Sequence, residues 1–114
     1  MKLNDKIIDV LENKRFYIYD VHRQGNKYYV EIERFTPLGE DWIETIWFDG
    51  TDEGFIEAVK ERWYNFDVDD EAAKWVECRG NNGVPSSIKA LVEDAEWKKE
   101  ILGVLVEELE ELDL

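Results

Sequence analysis

Residues 28–48, YYVEIERFTPLGEDWIETIWF, decide the fold because they contain two alternating stretches separated by a turn. An apolar alternation with a period of two is typical of a half-buried strand. The first stretch, 28–35, places three side chains on one face: Tyr28, Val30 and Ile32. The second stretch, 41–48, does the same with four: Trp42, Glu44, Ile46 and Phe48. Residues 36–40 (TPLGE) predict the turn, because Pro presets φ and Gly tolerates unusual backbone angles.

The preceding residues extend this pair of strands into a sheet. Residues 16–23, FYIYDVHR, are rich in aromatic and β-branched side chains and predict one continuous strand. Gly25-Asn26 then suits a two-residue hairpin turn, since both residues tolerate positive φ. The sequence thus predicts a three-stranded antiparallel meander over residues 16–48.

Helical periodicity flanks the predicted meander on both sides. Asn4 is the predicted cap of a first helix that ends near Asn13. Thr51 is the predicted cap of a second helix, which runs to about Asn65. Asp69 is the predicted cap of a third.

The clearest loop in the chain, residues 80–85 (GNNGVP), separates the third helix from the last one, for which Ser86 is the predicted cap. Apolar residues recur with a period near 3.6 from Ile88 to Leu112. Unbroken, this helix would be ~27 residues and ~40 Å long, which exceeds the core that it would cover. We therefore expect either a break near Glu96-Trp97 or packing of its end on a second copy.

These elements predict an α+β fold with a single domain over residues 1–114: a helix, a three-stranded antiparallel meander, and two or three helices. Residues 1–80 would form an α-β-β-β-α-α core, and residues 81–114 a loop plus a long C-terminal helix. Since 44% of the residues are hydrophobic and 13% aromatic, the chain is too apolar to be a disordered acidic tail.

The carboxylates are concentrated in two blocks. Residues 40–77 hold 13 of the 28 carboxylates and three basic residues, a net charge of −10 (3 − 13). Residues 93–114 come to −7 (2 − 9), while residues 1–39 and 78–92 are weakly positive, which gives −14 overall. Such a surface repels nucleic acid and membranes, and it attracts basic protein grooves over roughly a Debye length.

The chain has a single cysteine, Cys78, which excludes an internal disulfide and is typical of a reducing compartment. Charged residues interrupt the first apolar residues, so no signal peptide is predicted. No run of ~18 apolar residues is present that would span a membrane. We expect a soluble intracellular protein.

The sequence offers little enzymatic chemistry. His22 and Cys78 are the only residues of their kinds, so a Cys–His pair is the one nucleophilic arrangement left open, and a surface imidazole with a half-buried thiol is the favoured interpretation. Phosphate-binding and serine-hydrolase motifs are missing, and zinc ligands are too few. Residues 67–71 (DVDDE) loosely resemble a calcium loop but lack its glycine and its distal glutamate. We predict a non-enzymatic protein without metal or cofactor.

Regularly spaced carboxylates suggest a binding function instead. Strand residues two apart lie ~6.6 Å apart and helix residues four apart ~6 Å, spacings close to that of neighbouring phosphates on one DNA strand. A rigid domain with such carboxylates would imitate DNA and release counterions from a basic partner. The competing interpretation is that turns and helix starts favour acidic residues anyway. The candidate partner-binding residues all lie between positions 40 and 71: Glu40, Asp41, Glu44, Asp49, Asp52, Glu53, Glu57, Asp67, Asp69, Asp70 and Glu71.

The element order and four stretches carry a resemblance to a known family: residues 4–8 (NDKII), the Gly25-Asn26 hairpin, residues 51–60 (TDEGFIEAVK) and residues 63–71 (WYNFDVDDE). Over roughly residues 1–78 the chain resembles the small acidic anti-CRISPR proteins of phages. Within that family it looks like the inhibitors that occupy the PAM-reading groove of the type II RNA-guided nuclease. The resemblance implies a non-enzymatic DNA mimic that acts in the cytoplasm of a bacterial host cell on a guide-loaded nuclease.

The resemblance also implies roles for two groups of carboxylates. Asp67, Asp69, Asp70 and Glu71 match the acidic turn that meets the arginines of the nuclease, which otherwise hold PAM bases by bidentate contacts. Glu40 and Asp41 match acids at the end of the meander.

Residues 82–96 depart from that inhibitor and look like a segment common in small proteins of phages and conjugative elements of Firmicutes. A mobile-element origin is therefore implied more strongly than one particular target. A type V effector or a restriction enzyme would be bound by the same physics and stays open as the partner.

A structural or assembly role is the second hypothesis. Leucines on one face of the last helix would form a homodimer or bind another helix: Leu102, Leu105, Leu109 and Leu112.

Overall fold

A computed structural model describes residues 1–76 and 87–114. The predicted loop at residues 80–85, the cap Ser86 and Cys78 lie outside the described residues. The elements are α1 (Asp5–Asn13), β1 (Tyr17–Ile18), β2 (His22–Gln24), β3 (Lys27–Phe35), β4 (Asp41–Phe48), α2 (Asp52–Tyr64), α3 (Val68–Val76) and α4 (Ile88–Glu110). The predicted α+β fold with a single domain is confirmed.

The sheet is antiparallel, with β3 in the centre, β4 on one side, and β1 and β2 on the other. The β3–β4 pair keeps one register from Tyr28–Phe48 to Phe35–Asp41, as the alternation predicts. Side chains along β4 alternate strictly between exposed and buried. The hairpin between β2 and β3 is also confirmed, although only Gly25 of its two turn residues has positive φ, 65°.

The prediction of one continuous first strand is wrong. Ile18 pairs with Ile32 and His22 with Tyr29, so three residues on one strand oppose two on β3. One extra residue in 19–21 makes this a bulge, which divides the strand into β1 and β2. Periodicity did not reveal the bulge because the residues on both sides of it have strand-forming side chains.

The helix caps are confirmed for α1 and α2 and shifted for α3 and α4. The side chain of Asn4 accepts a hydrogen bond from the Lys6 amide, and that of Thr51 from the Gly54 amide. In α3 the cap is Asp67, whose Oδ1 accepts from the Asp70 amide at 3.1 Å, so the predicted cap Asp69 lies in the first turn instead. The cap of α4 is Ser87 and not Ser86. In both cases several neighbouring residues are suitable caps, so tertiary packing decides which of them begins the helix.

The last helix is a single element of 23 residues, so the predicted break near Glu96-Trp97 is wrong. At 1.5 Å per residue it is about 35 Å long, and the molecule measures 42 Å in its longest dimension. Its apolar residues join the same core as α1, the sheet and α2, so α4 is an integral part of that core.

The leucines expected to pair with a second copy face the chain's own interior. Leu102, Leu105 and Leu109 are fully buried, and Leu112 packs against the same core. Because these side chains are already covered, they cannot form the homodimer interface of the second hypothesis.

Helices α2 and α4 run antiparallel side by side. Lys60 lies near Glu110, Trp63 near Gly103, and the ammonium of Lys99 donates to the carbonyl of Phe66 at 2.8 Å. A Cβ on Gly103 would lie 2.9 Å from the indole nitrogen of Trp63, so glycine allows this close approach.

Candidate functional site

The candidate carboxylates fall into an internal group and an exposed group. Glu40, Glu44 and Glu71 are only 4%, 7% and 7% exposed. A buried carboxylate cannot belong to a ridge that a partner reads, so the expectation for these three residues is wrong. They belong instead to an internal charge network, which is defined here as Glu40, Glu44, Glu71 and Asp94 with Arg62, Lys74 and Lys98.

Lys98 is the centre of the network. Its side chain is 1% exposed, and its ammonium lies 2.7 Å from Glu40 Oε1, 3.0 Å from Glu71 Oε2 and 3.7 Å from Asp94 Oδ2. The rings of Trp42 and Trp75 flank the ammonium at 5.9 and 5.5 Å. Burial alone would lower the pKa of Lys98, but its hydrogen bonds and charge interactions with Glu40 and Glu71 outweigh burial and raise it, so the ammonium stays charged.

Arg62 holds the second part of the network. Its Nε and Nη2 donate to the two carboxylate oxygens of Glu44 at 2.6 and 2.9 Å, a bidentate pair. The indole N–H of Trp42 donates to the same carboxylate at 2.8 Å. Glu71 connects the two parts, since it contacts Lys98, Lys74 at 3.2 Å and Arg62 at 3.9 Å.

Burial opposes ionisation of Glu71, but the hydrogen bonds and charges of Lys98 and Lys74 outweigh it and hold the pKa of this carboxyl below its usual value. Glu40 behaves in the opposite way. Burial and the neighbouring Asp94 carboxyl raise the pKa of Glu40 to about 7, against the opposing effect of Lys98.

Two carboxyl groups at one end of the network each have one oxygen without a partner in the described part of the chain. Glu40 Oε2 and Asp94 Oδ1 are buried and have no hydrogen-bond partner among the described residues. Four carboxylates face three cations, which leaves one negative charge in excess. Because its pKa is raised to about 7, the Glu40 carboxyl takes up a proton as the pH falls through this value, which neutralises the excess charge.

The internal network connects parts of the chain that are far apart in sequence. Glu40 is in the β3–β4 turn, Glu44 in β4, Arg62 in α2, Glu71 in α3 and Lys98 in α4. Its role is structural, because it fixes α3 and α4 to the end of the sheet. The sequence did contain a signal for this network. Glu44 and Lys98 each stand at a position where the strand or helix repeat otherwise places a buried apolar side chain.

The remaining candidates reach the surface at separate places. Asp41, Asp49, Glu53 and Glu57 are exposed, Asp52 is half-buried beside the Asn4 amide at 3.4 Å, and the three aspartates at the start of α3 are exposed. Along α2, about 20 Å separates Asp52 from the first of these, Asp67. Asp49 accepts hydrogen bonds from the side chain and amide of Thr51, which lower its pKa and fix it at the start of α2.

The structure adds carboxylates of α4 to the exposed candidates of α2. Glu53 and Glu57 lie one turn apart and exposed on α2, whereas Glu61 lines a groove beside β4 and does not belong to this surface. Because α4 packs beside α2, its exposed carboxylates form a neighbouring group: Glu100, Glu107 and Glu110. Packed helices lie about 8–10 Å apart, so the two groups of carboxylates lie on adjoining helices, together with Lys60, which is 3.7 Å from Glu110. This net acidic surface is called here the α2–α4 face. A groove of about 410 Å³ lies between the two helices, with Trp63 on its α2 side and Gly103 and the three glutamates on its α4 side.

No cluster of metal-binding side chains is found within residues 1–76 and 87–114. His22 is exposed on β2 and stacks on the ring of Tyr29, with centroids 5.1 Å apart. Among these residues, no three side chains of the metal-binding types come together. None of the helices that the structure describes is long and apolar enough to cross a membrane.

Comparisons with known proteins do not place the chain in a family. No protein-family model, no curated protein and no solved structure matches it. The interpretation of the site therefore rests on its geometry.

Proposed function

We propose that this protein is a non-enzymatic inhibitor that mimics DNA and occupies the basic DNA-binding groove of a nuclease. The preferred partner is a guide-loaded type II CRISPR nuclease in the cytoplasm of a bacterial host, as the resemblance implies. The single observation that carries the proposal is the α2–α4 face, with its two neighbouring groups of exposed carboxylates on one rigid scaffold.

Rigidity distinguishes this face from a merely soluble surface. Both helices are anchored by fully buried side chains, including Phe55 and Val59 of α2 and Leu102 and Leu105 of α4. On such helices Glu53 and Glu57, and likewise Glu107 and Glu110, keep a spacing of ~6 Å, close to the phosphate spacing along DNA. Glu100 lies about 10.5 Å from Glu107, two turns away. A basic groove would therefore bind them with little ordering cost and release its counterions, so binding should weaken as salt rises.

The aspartates at the start of α3 are the second element of the proposed surface. Asp69 and Asp70 are exposed and sit in the first turn of the helix. The resemblance matches them to the acidic turn that meets the PAM-reading arginines. Glu71 does not take part, because Lys98 and Lys74 hold it inside the protein.

The proposal is tested by measuring DNA cleavage by a guide-loaded type II nuclease in the presence of charge-reversed variants. Asp69→Lys/Asp70→Lys and Glu57→Lys/Glu107→Lys each change the net charge by +4. The matched control Asp9→Lys/Glu12→Lys makes the same change on exposed positions of α1. We expect both site variants to weaken inhibition at least roughly tenfold and the control to inhibit like the wild type.

Equal loss in all three variants would show that net charge alone acts and would count against a shaped surface. Absence of inhibition by the wild type, at low as well as high salt, would reject this nuclease. The same assay with a type V effector and a restriction enzyme then decides between the remaining partners.

A further inference from the structure

The two edges of the sheet are built differently. The edge formed by β1 and β2 is short and interrupted by the bulge at residues 19–21. Such interruptions prevent an edge from pairing with other chains. The opposite edge is β4, eight residues long, in one register with β3 along its whole length, and without lysine, proline or a bulge.

The hydrogen-bond pattern shows which groups of β4 point away from the sheet. The amide of Thr36 donates to the carbonyl of Glu40 at 2.9 Å, which marks this as a hydrogen-bonded pair. Pairs alternate along an antiparallel ladder, so Trp42, Glu44, Ile46 and Phe48 bond to β3. The backbone groups of the other four residues point outward: Asp41, Ile43, Thr45 and Trp47. Within the described part of the chain, none of these outward groups takes part in a hydrogen bond outside the sheet.

Open grooves run along this edge. One, of about 360 Å³, lies between β4 and helices α2 and α3, and another, of about 240 Å³, lies between β4 and α2. Residues from both faces of β4 line them, Ile43 and Trp47 from the outer face and Trp42 and Ile46 from the inner face. Side chains from both faces meet only at the free edge of a strand, so the grooves follow that edge.

Charge and exposure define what would fit there. Ile43 and Trp47 are each 46% exposed and offer apolar contacts to alternate side chains of an added strand. Asp41 lies at the start of the edge and Glu61 beside its far half, while the exposed Lys74 of α3 lines the first groove and is paired with Glu71 at 3.2 Å. Glu44 is the one charge of β4 that points inward, and Arg62 and Trp42 already satisfy it. A second copy would bring another net charge of −14 against this one, so the edge favours a basic partner.

We propose that the free edge of β4 binds an extended, basic segment of a partner protein, which adds to the sheet as a fifth strand with alternating basic and apolar side chains. Main-chain hydrogen bonds to Ile43 and Thr45 would hold the segment, and its apolar side chains would contact Ile43 and Trp47. This site is distinct from the α2–α4 face and does not depend on DNA mimicry.

The test uses a synthetic peptide that alternates lysine and valine and matches β4 in length, followed by calorimetry and by amide NMR of the intact protein. We expect shifts and slowed hydrogen exchange at the outward amides of Ile43, Thr45 and Trp47. A peptide with the same residues in two blocks, all lysines before all valines, should bind at least roughly fivefold more weakly, because it cannot alternate. Shifts confined to the α2–α4 face would overturn the proposal, since they would indicate binding by charge alone.

Thr45→Pro removes one outward amide without removing a bond to β3. Arg23→Pro is the matched control, because Gln24–Lys27 closes the hairpin and the Arg23 amide therefore points outward at the opposite edge. We expect Thr45→Pro to weaken binding of the alternating peptide roughly fivefold or more, and Arg23→Pro to leave it unchanged. Equal affinity of the two variants for the alternating peptide would overturn the proposal. A wild-type homodimer that Thr45→Pro abolishes would also overturn it, because the edge would then bind a second copy of the chain. If Thr45→Pro does not fold, the exchange measurement on the wild type decides alone.

Discussion

The internal network and the α2–α4 face contain the same residue types and have opposite properties. In the network, four carboxylates are buried around Lys98 and Arg62, at distances that begin at 2.6 Å. On the α2–α4 face, glutamates such as Glu57 and Glu107 are exposed. Both sets come from the same acidic blocks of sequence. Acidic composition therefore does not identify a binding surface, because part of the acid forms the interior that keeps the rest in place.

The difference also separates stability from recognition. Burying an unpaired ion costs folding free energy. Removing one partner from the network therefore destabilises the protein, because the remaining charges stay buried without a counterion. An exposed carboxylate is screened by water and salt and contributes little to folding. Substitutions in the two regions should thus have very different effects on the free energy of unfolding.

The largest effect is expected for Lys98→Met, which removes the central cation and keeps the apolar stem. Glu40, Glu71 and Asp94 would then share a buried site without an ammonium group, and we expect a loss of about 3–5 kcal/mol. Urea unfolding at neutral pH measures it. The control Lys89→Met, on the exposed face of the same helix, should change stability by less than about 0.5 kcal/mol. A loss below about 1 kcal/mol in Lys98→Met would contradict the network.

The next effect is the pH dependence set by Glu40. Its pKa is raised from 4.5 to about 7, so the folded state holds a proton that the unfolded chain has already lost in this range. The unfolded state then binds fewer protons, and stability falls as pH rises from about 4.5 to 7. We expect this contribution to be on the order of 2–3 kcal/mol, fully present below the unfolded pKa and lost above the folded one.

Glu40→Gln tests the origin of this slope. An amide imitates the protonated acid, since it can accept from Lys98 and donate to Asp94, so the variant should be more stable than the wild type at pH 8. Its stability should also vary less between pH 5 and 7. The same exchange at an exposed position, Glu57→Gln, should leave the wild-type slope in place. If the stability of Glu40→Gln varies with pH as strongly as that of the wild type, the pH dependence comes from general charge repulsion and not from Glu40.

The smallest effect on stability is expected on the exposed side of the comparison. Asp69→Lys/Asp70→Lys places two cations near the positive end of α3, which costs about 1 kcal/mol, and relief of general repulsion offsets part of this. Thermal unfolding at low and high salt measures the balance. A loss as large as that of Lys98→Met would show that these aspartates belong to the structure and would remove them from the proposed surface.

Local patterns predicted the elements well where one signal dominated. The alternation in residues 28–48 fixed β3, β4 and their register, and Asn4 and Thr51 were the correct caps. Prediction failed where several neighbours satisfied the same rule. Asp67 and Asp69 both suit a cap, and packing of the buried Phe66 just before the helix favours the earlier one.

The candidate site was predicted less completely than the fold. Eight of the eleven candidate carboxylates are at least partly exposed and three are buried. Glu44 lies on the same side of β4 as the apolar residues Trp42 and Ile46, which already indicated that its side chain points inward. The partners of Glu40 and Glu71 were not predictable, because Lys98 lies 58 and 27 residues away from them. The group on α4 was missed for the same reason, since only the antiparallel packing of α4 on α2 places it there.

The sequence by itself determined the alternating strands, the amphipathic helices, most of the turns and the net charge of −14, because each depends on residues a few positions apart. Tertiary structure alone decided which carboxylates are buried against Lys98, which form an exposed face, and which edge of the sheet stays open. These outcomes depend on contacts between residues distant in the chain, where the cost of burying a charge is offset only if a partner arrives from another element.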